Sequence, residues 1–206
     1  MIKRIILGML HTNCYIIYNE NSKEACIIDP STHPDKIINE INDLNIKEVK
    51  YIILTHAHSD HILALDKLVE KTNAKVCIGN NDAKALNDNS LSLCSYFHTN
   101  APKTKPDILL KDNDELNISD LKLKILETPG HTVGSISILC DNHVICGDTL
   151  FYESVGRTDF ETSSAKDLIH SIKNKLFLLP KETVVCPGHG EYTTIEHEIN
   201  NNPFIW

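Results

Sequence analysis

Thr55-His56-Ala57-His58-Ser59-Asp60-His61 constrains this chain more than any other stretch. Before it runs Val49-Lys50-Tyr51-Ile52-Ile53-Leu54, a β-branched and apolar segment that reads as a buried strand. After it, Ile62, Leu65, Leu68 and Val69 recur at helical spacing, which predicts a helix beginning near Asp60 or His61. The motif therefore occupies the passage from a strand to a helix, a common place for a site in α/β proteins. Three imidazoles and one carboxylate fall within six residues, and both groups are metal ligands. A regular strand would point His56 and His58 one way and His61 the other. A turn lets all four side chains converge, and Asp60 near a helix N-terminus is electrostatically favoured. The plainer alternative is a polar loop that happens to hold histidines.

Four ligands in one loop do not complete a catalytic site. Three distant candidates stand out: His131 in Thr128-Pro129-Gly130-His131-Thr132, Asp148 in Cys146-Gly147-Asp148-Thr149, and His189 in Cys186-Pro187-Gly188-His189-Gly190. Each follows an apolar, strand-like run, and each is bordered by glycine, which permits tight or left-handed backbone. A lone histidine after a strand is usually a polar loop residue. A strand-Pro-Gly-His pattern that occurs twice, beside His-x-His-x-Asp-His, points to ligands instead.

The order His-x-His-x-Asp-His, then His, Asp and His, resembles the metallo-β-lactamase superfamily. Within it the chain resembles the glyoxalase II-like (hydroxyacylglutathione hydrolase-like) branch. The matching segments are Thr128 to Thr132 with Gly134-Ser135, Gly147 to Phe151, Gly156-Arg157-Thr158-Asp159, Pro187 to Gly190 and Asn202-Pro203-Phe204. The resemblance runs from Asn13-Cys14-Tyr15 to the C-terminus. It implies an α/β fold, a four-layer αβ/βα sandwich of two face-to-face sheets with helices outside and metals at one edge. It also implies that His56, His58 and His131 hold one divalent ion and that Asp60, His61 and His189 hold a second, with Asp148 bridging. Asp60 is in addition the candidate catalytic residue, orienting the attacking hydroxide. Zinc is the expected metal, with iron or manganese as alternatives on the same ligands. The implied reaction is hydrolysis of a small-molecule thioester, S-D-lactoylglutathione or another acyl thioester, by hydroxide bridging two metals. A thiol is a good leaving group, with a pKa of about 8.5, so no strong general acid is needed. The rival reading is a mononuclear iron persulfide dioxygenase, which shares these motifs and uses one iron from the same ligand set. Full-length glyoxalase II enzymes add a helical C-terminal domain that binds glutathione. Here the chain stops shortly after His189, so residues 1–206 are read as one domain without it, with a more open pocket.

Composition narrows the partners. Twenty basic residues against 28 acidic ones leave a net charge of −8, which argues against nucleic acid. No run reaches transmembrane length, so no membrane partner is expected. The sequence carries no signal for oligomeric state. Seven cysteines, without a Cys-x-x-Cys, sit mostly in apolar runs and read as buried reduced thiols. Together with the lack of a signal peptide this places the chain in a reducing cytoplasm and counts against a secreted β-lactamase.

In chain order, residues 2–7, 14–18 and 25–28 read as strands and His33 to Leu44 as a helix. Strand 75–78, a short helix Asp82 to Leu86 and strands between Ile108 and Cys146 follow. Helices are expected over Ser164 to Leu178 and Thr193 to Asn201, with a strand over Thr183 to Cys186. Asp29 is either a carboxylate that orients the metal loop or a turn residue. His11 is either at the site mouth or simply on the surface. The polar stretch 87–107 is a binding loop or a surface excursion. Arg157 and Asp159 either shape the pocket rim or tie down their loop.

Overall fold

In the computed structural model, which describes residues 1–205, two six-stranded sheets carry the molecule. The first contains β1 (Ile2–Leu7), β2 (Thr12–Tyr18), β3 (Glu24–Ile28), β4 (Glu48–Leu54), β5 (Lys75–Gly79) and β6 (Ile108–Leu110), in that spatial order. β1, β2 and β3 pair antiparallel, whereas β3 to β6 run parallel. Parallel neighbours need crossovers. These are α1 (Pro34–Asp43) between β3 and β4, α2 (Ser59–Ile62) with α3 (Leu65–Thr72) between β4 and β5, and the segment 80–107 between β5 and β6.

The second sheet is built from β7 (Glu115–Ile118), β8 (Leu121–Glu127), β9 (Ile136–Cys140) and β10 (His143–Gly147), all antiparallel. A hairpin, β11 (Leu150–Phe151) and β12 (Ser154–Val155), then leads through α4 (Ala165–Asn174) to β13 (Val184–Pro187), parallel to β10. β14 (Thr193–Thr194) closes that edge, and α5 (Ile195–Asn201) follows.

Side-chain alternation stacks these elements into four layers. On β2, Ile16 packs toward the first helical layer, while Tyr15 and Ile17 enter the space between the sheets. On β4, Ile52 and Leu54 face Ile37, Ile41, Leu65 and Leu68 of α1 and α3, and Ile53 faces the opposite sheet. Leu123, Ile125, Ile136 and Ile138 meet it there. Val144 and Val185 on the outer face of the second sheet pack under Leu168, Ile172 and Ile195 of α4 and α5. Each such side chain contributes about 1.5–3 kcal/mol by leaving water. The αβ/βα sandwich expected from the sequence is therefore the observed fold.

All seven cysteines are free and buried in these layers, and burial pushes thiols such as Cys14, Cys77 and Cys146 upward, keeping them protonated. No described helix is long and apolar enough to cross a membrane.

Several boundaries differ from expectation. The helix expected over Ser164 to Leu178 stops at Asn174, because Lys175 leaves helical geometry (φ −125°, ψ −62°), and a 3-10 turn covers Leu176–Leu178. Ser164 caps the helix, its hydroxyl accepting from Asp167 N at 3.2 Å. Asp82 to Leu86 is not a helix but part of two 3-10 turns, Asn80–Asp82 and Ala85–Asn87. Thr193 and Thr194 pair with β13 before α5 begins, since a sheet edge satisfies their backbone better than a first helical turn.

Candidate metal centre

β4 ends at Leu54, and the next four residues turn across the end of the sheet into α2. Asp29, just after β3, fixes that turn. Its carboxylate accepts from Thr55 N (2.8 Å), Thr55 Oγ1 (2.6 Å) and Nδ1 of His61 (2.9 Å). Asp29 also sits in left-handed backbone, φ 51°, so it is both the orienting carboxylate and the turn residue. With Nδ1 engaged, His61 presents Nε2 to the site.

The other loops arrive from the second sheet. His131 follows β8, Asp148 follows β10 and His189 follows β13. His131 is held through Nδ1 by Arg157 O (2.8 Å), and His189 through Nδ1 by Leu10 O (2.9 Å). β2 secures the His189 loop: the Asn13 side-chain amide donates to Pro187 O and Gly190 O, both at 2.9 Å, and Tyr15 Oη donates to Pro187 O at 2.7 Å. Gly188 is required by close approach. A Cβ there would lie 2.1 Å from Asp148 Oδ1 and 2.9 Å from the His61 ring.

All seven residues singled out in the sequence converge. His58 Nδ1 and His131 Nε2 stand 2.9 Å apart, and the His56 ring lies 4.7 and 4.8 Å from theirs. His61 Nε2 is 3.4 Å from Asp60 Oδ2 and 3.4 Å from Asp148 Oδ1. His189 Nε2 is 3.1 Å from Asp60 Oδ2 and 3.5 Å from Asp148 Oδ2. Asp148 Oδ2 also lies 3.6 Å from His131 Nε2, so this carboxylate spans both groups. Ligand atoms cluster as His56, His58 and His131, as His56, His61 and Asp148, and as Asp60, His61 and His189, each set within 4.8 Å.

Nε2 of His56, His58 and His61 and Oδ1 of Asp148 are buried without a hydrogen-bond partner. Leaving such atoms unpaired costs about 1–3 kcal/mol each, and a divalent cation among nitrogen and carboxylate donors satisfies them. The donor set fits a metal. Burial keeps His56 well below the usual histidine range and, with His131 beside it, takes His58 to about 3, so both are neutral ligands. His61 and His189 behave oppositely. Burial works against their protonated forms, but Asp60, Asp148 and, for His61, Asp29 outweigh it, and His189 is raised to about 10. In the same way burial opposes the charged form of Asp148, but His61 and His189 hold it well below the carboxylate range.

The family of this centre follows from a direct match. The model of the metallo-beta-lactamase superfamily matches residues 7–189, which takes in every residue of the centre. The chain belongs to the metallo-β-lactamase superfamily.

Superfamily relatives cover it almost end to end. The "Probable metallo-hydrolase YqgX" of Bacillus subtilis is 36% identical over 98% of this chain and 96% of its own length. "Hydroxyacylglutathione hydrolase GloC" of Haemophilus influenzae is 33% identical, with coverages of 94% and 92%. Among solved structures, BLEG-1, titled a B3 metallo-beta-lactamase, superposes with a TM-score of 0.94 at 35% identity, covering 100% of this chain and 99% of that one. TTHA1623 in a di-iron-bound form gives 0.87 at 32% identity, with coverages of 98% and 99%. ETHE1 from Myxococcus xanthus gives 0.83 at 31%, with coverages of 98% and 83%. The chain is a metallo-hydrolase-type member of this superfamily with a histidine-rich candidate metal site.

Asp82 belongs to the centre and was not singled out in the sequence. It is buried and accepts from Ala57 N (3.0 Å), Thr132 Oγ1 (2.8 Å) and Gly134 N (2.8 Å). Ala57 lies between His56 and His58, and Thr132 follows His131, so one carboxylate ties together the loops of all three histidines. A Cβ on Gly134 would press on Asp82 at 2.2 Å. An available signal was its position just past the end of β5, matching that of Asp29 past β3.

The centre opens into a cavity of about 590 Å³. Leu93, Tyr96 and Phe97 line it, so the 87–107 stretch forms a wall of the site. Ser92 O accepts from Ser59 N (2.8 Å), and Asp66 fastens the far end at Lys103 N and Thr104 N (3.0 and 2.9 Å). Arg157 and Asp159 form an ion pair at 2.7 Å and also line the cavity, so both sequence readings hold. His11 is exposed and does not line it, whereas its neighbour Leu10 does.

Proposed function

We propose that the chain is a metal-dependent thioester hydrolase acting on a small-molecule acyl thioester in a reducing cytoplasm. The carrying observation is the cavity wall. Apart from His58, Asp60, His131, Asp148 and His189 it offers Leu10, Leu93, Phe97, Phe151 and Phe160, the Arg157–Asp159 pair, and one neutral proton donor, the phenol of solvent-exposed Tyr96. Such a wall protonates a poor leaving group badly, whereas a thiolate departs unaided.

In this reading His56, His58 and His131 hold one divalent ion, Asp60, His61 and His189 the other, and Asp148 is shared. Zinc suits the nitrogen and carboxylate donors. When bound, the two ions supply Lewis acidity, polarising the acyl carbonyl and lowering the pKa of water. Thr12 Oγ1 donates to Asp60 Oδ2 at 3.1 Å and fixes this carboxylate, which orients the nucleophilic water by accepting its hydrogen. Asp29 and Leu10 O hold His61 and His189 in the tautomer that presents Nε2. Phe151 and Phe160 exclude bulk water from the acyl group.

The alternative is a mononuclear iron persulfide dioxygenase, the reading for which the likeness to ETHE1 speaks, and the di-iron-bound relative brings iron into the metal analysis. The name of BLEG-1 adds β-lactams to the substrates to be tried. The test assays untagged protein with S-D-lactoylglutathione and simpler acyl thioesters, persulfides and a β-lactam, with metal analysis and a chelator control. Chelator-sensitive thioester cleavage is expected. Turnover confined to persulfides by iron-loaded protein, or to β-lactams, overturns the proposal.

A further inference from the structure

The Asn202-Pro203-Phe204 motif supplies no ligand to the centre, and neither does Glu198, a fully buried carboxylate on α5. Glu198 and Asn202 lie four residues apart and share one face of the helix. Pro203 disfavours helical backbone at Asn202, so α5 ends there with Asn202 extended (φ −72°, ψ 115°). The two side chains bond to each other and to the turn of the β11–β12 hairpin. Glu198 Oε2 accepts from Asn202 Nδ2 (2.8 Å) and from Glu153 N (3.0 Å), while Oε1 accepts from Thr193 Oγ1 (2.6 Å). Asn202 Nδ2 also donates to Ser154 O at 3.0 Å.

That hairpin needs outside support. Its ladder has two residue pairs, Leu150 with Val155 and Phe151 with Ser154, and a two-stranded hairpin is marginal on its own. Glu153 in its turn sits in left-handed backbone, φ 50°, which a β-carbon resists. Three parts of the centre depend on the hairpin. Asp148 precedes it, Arg157 O, which holds His131 Nδ1, follows it, and Phe151 within it lines the cavity 6.2 Å from His189. Its base is tight, since a Cβ on Gly156 would meet Asp148 O at 1.8 Å. A shift of the turn therefore reaches the shared carboxylate and the support of His131 together.

We propose that Glu198 and Asn202 are positioning residues for the metal centre. From α5, outside the ligand set, they fix the hairpin turn, and the hairpin in turn fixes Asp148, Arg157 O and Phe151. This role goes beyond the thioester reading, because the same residues place the ligands whatever substrate is turned over.

The test is cobalt(II) titration of metal-free protein read by absorbance, with thermal unfolding of the same samples. Glu198→Ala and Asn202→Ala should each alter the cobalt spectrum and weaken binding by about tenfold, the low end for a residue that orients ligands from outside. Glu198→Gln should restore most of the affinity. Its carbonyl still accepts from Asn202 Nδ2 and Glu153 N, and its amide donates to the Thr193 hydroxyl, which rotates to accept. Ile37→Ala, on α1 at the opposite outer layer, should lower the unfolding temperature and leave the cobalt affinity and spectrum unchanged, which separates positioning from lost stability. If Glu198→Ala fails to fold, Asn202→Ala, which leaves Glu198 two of its three donors, carries the test. Wild-type affinity and spectrum in the folded alanine variants, or glutamine as damaging as alanine at position 198, overturns the inference. No substrate enters the measurement, so the hydrolase reading stands or falls separately.

Discussion

His56, His58 and His131 are 1%, 3% and 4% exposed, and their loops are tied together by a carboxylate, Asp82, that lies outside the ligand set. Asp60, His61 and His189 are built differently. The side chains of Asp60 and His189 are 20% and 26% exposed, and this half mixes carboxylates with imidazoles that hold protons tightly. Its supports come from the first sheet and its loops: Asp29, Thr12 and Leu10 O. The two halves illustrate two ways of preparing a metal site. One is dry, and its His56 and His58 are held neutral, so a cation displaces no proton from either. The other is charged and closer to solvent, so a cation must compete with protons. Asp148 touches both, which makes it the residue on which their difference depends.

Removing that link is the largest perturbation. Asp148→Ala should lower metal content at both halves and reduce hydrolysis by more than the roughly 100-fold that an orienting residue costs. Circular dichroism should show the fold intact. Full activity in this variant excludes a shared carboxylate.

Acid should separate the halves next. Against its burial, Asp148 and Asp60 push His189 up to about 10 in the metal-free protein, so below that pH a cation must expel its proton. Affinity at the Asp60, His61 and His189 half should fall roughly tenfold per pH unit for each proton displaced. His58, lowered to about 3, imposes no such loss until pH approaches that value. Metal titrations between pH 5 and 8 should resolve two sites, with the steeper pH dependence at the Asp60, His61 and His189 half. Two sites with equal slopes break the comparison.

The supporting carboxylates should sort the same way with smaller effects. Asp82→Asn cannot accept from Ala57 N, Thr132 Oγ1 and Gly134 N together, and should weaken the three-histidine half by about 10- to 100-fold. Asp29→Asn should act on the His61 half to a similar degree. Cobalt titration read by absorbance distinguishes them, and identical spectral losses in the two variants would dissolve the distinction. The smallest effects belong to His143, His170 and His197, which lie outside the centre. Glutamine at these positions should change metal content not at all and stability by about 0.5 kcal/mol or less.

The layers were legible because burial imposes a period. Residues 49–54 and the helical recurrence of Ile62, Leu65 and Leu68 follow from backbone geometry that acts over a few residues. The metal loop was legible for a chemical reason, since few structures other than a metal site gather three imidazoles and a carboxylate in six positions. Element ends were less so. The end of α4 at Asn174 and the pairing of Thr193 with Val185 depend on competition between a helical turn and a neighbouring strand. The 87–107 stretch lacks any period, and its place on the site is set by distant anchors, Ser59 N and Asp66.

By itself, then, the sequence determined the strand-turn-helix frame, the order of the seven candidate ligands and the αβ/βα class, all carried by local spacing or by a resemblance in motifs. Tertiary structure alone decided which residues support which ligands, which face the cavity turns to solvent, and that Asp82 belongs to the centre. Asp82 meets its partners across 25, 50 and 52 positions of chain. A buried carboxylate is specified by the donors that surround it, and those donors become neighbours only when β4, β5 and β8 have been brought to the same end of the sandwich.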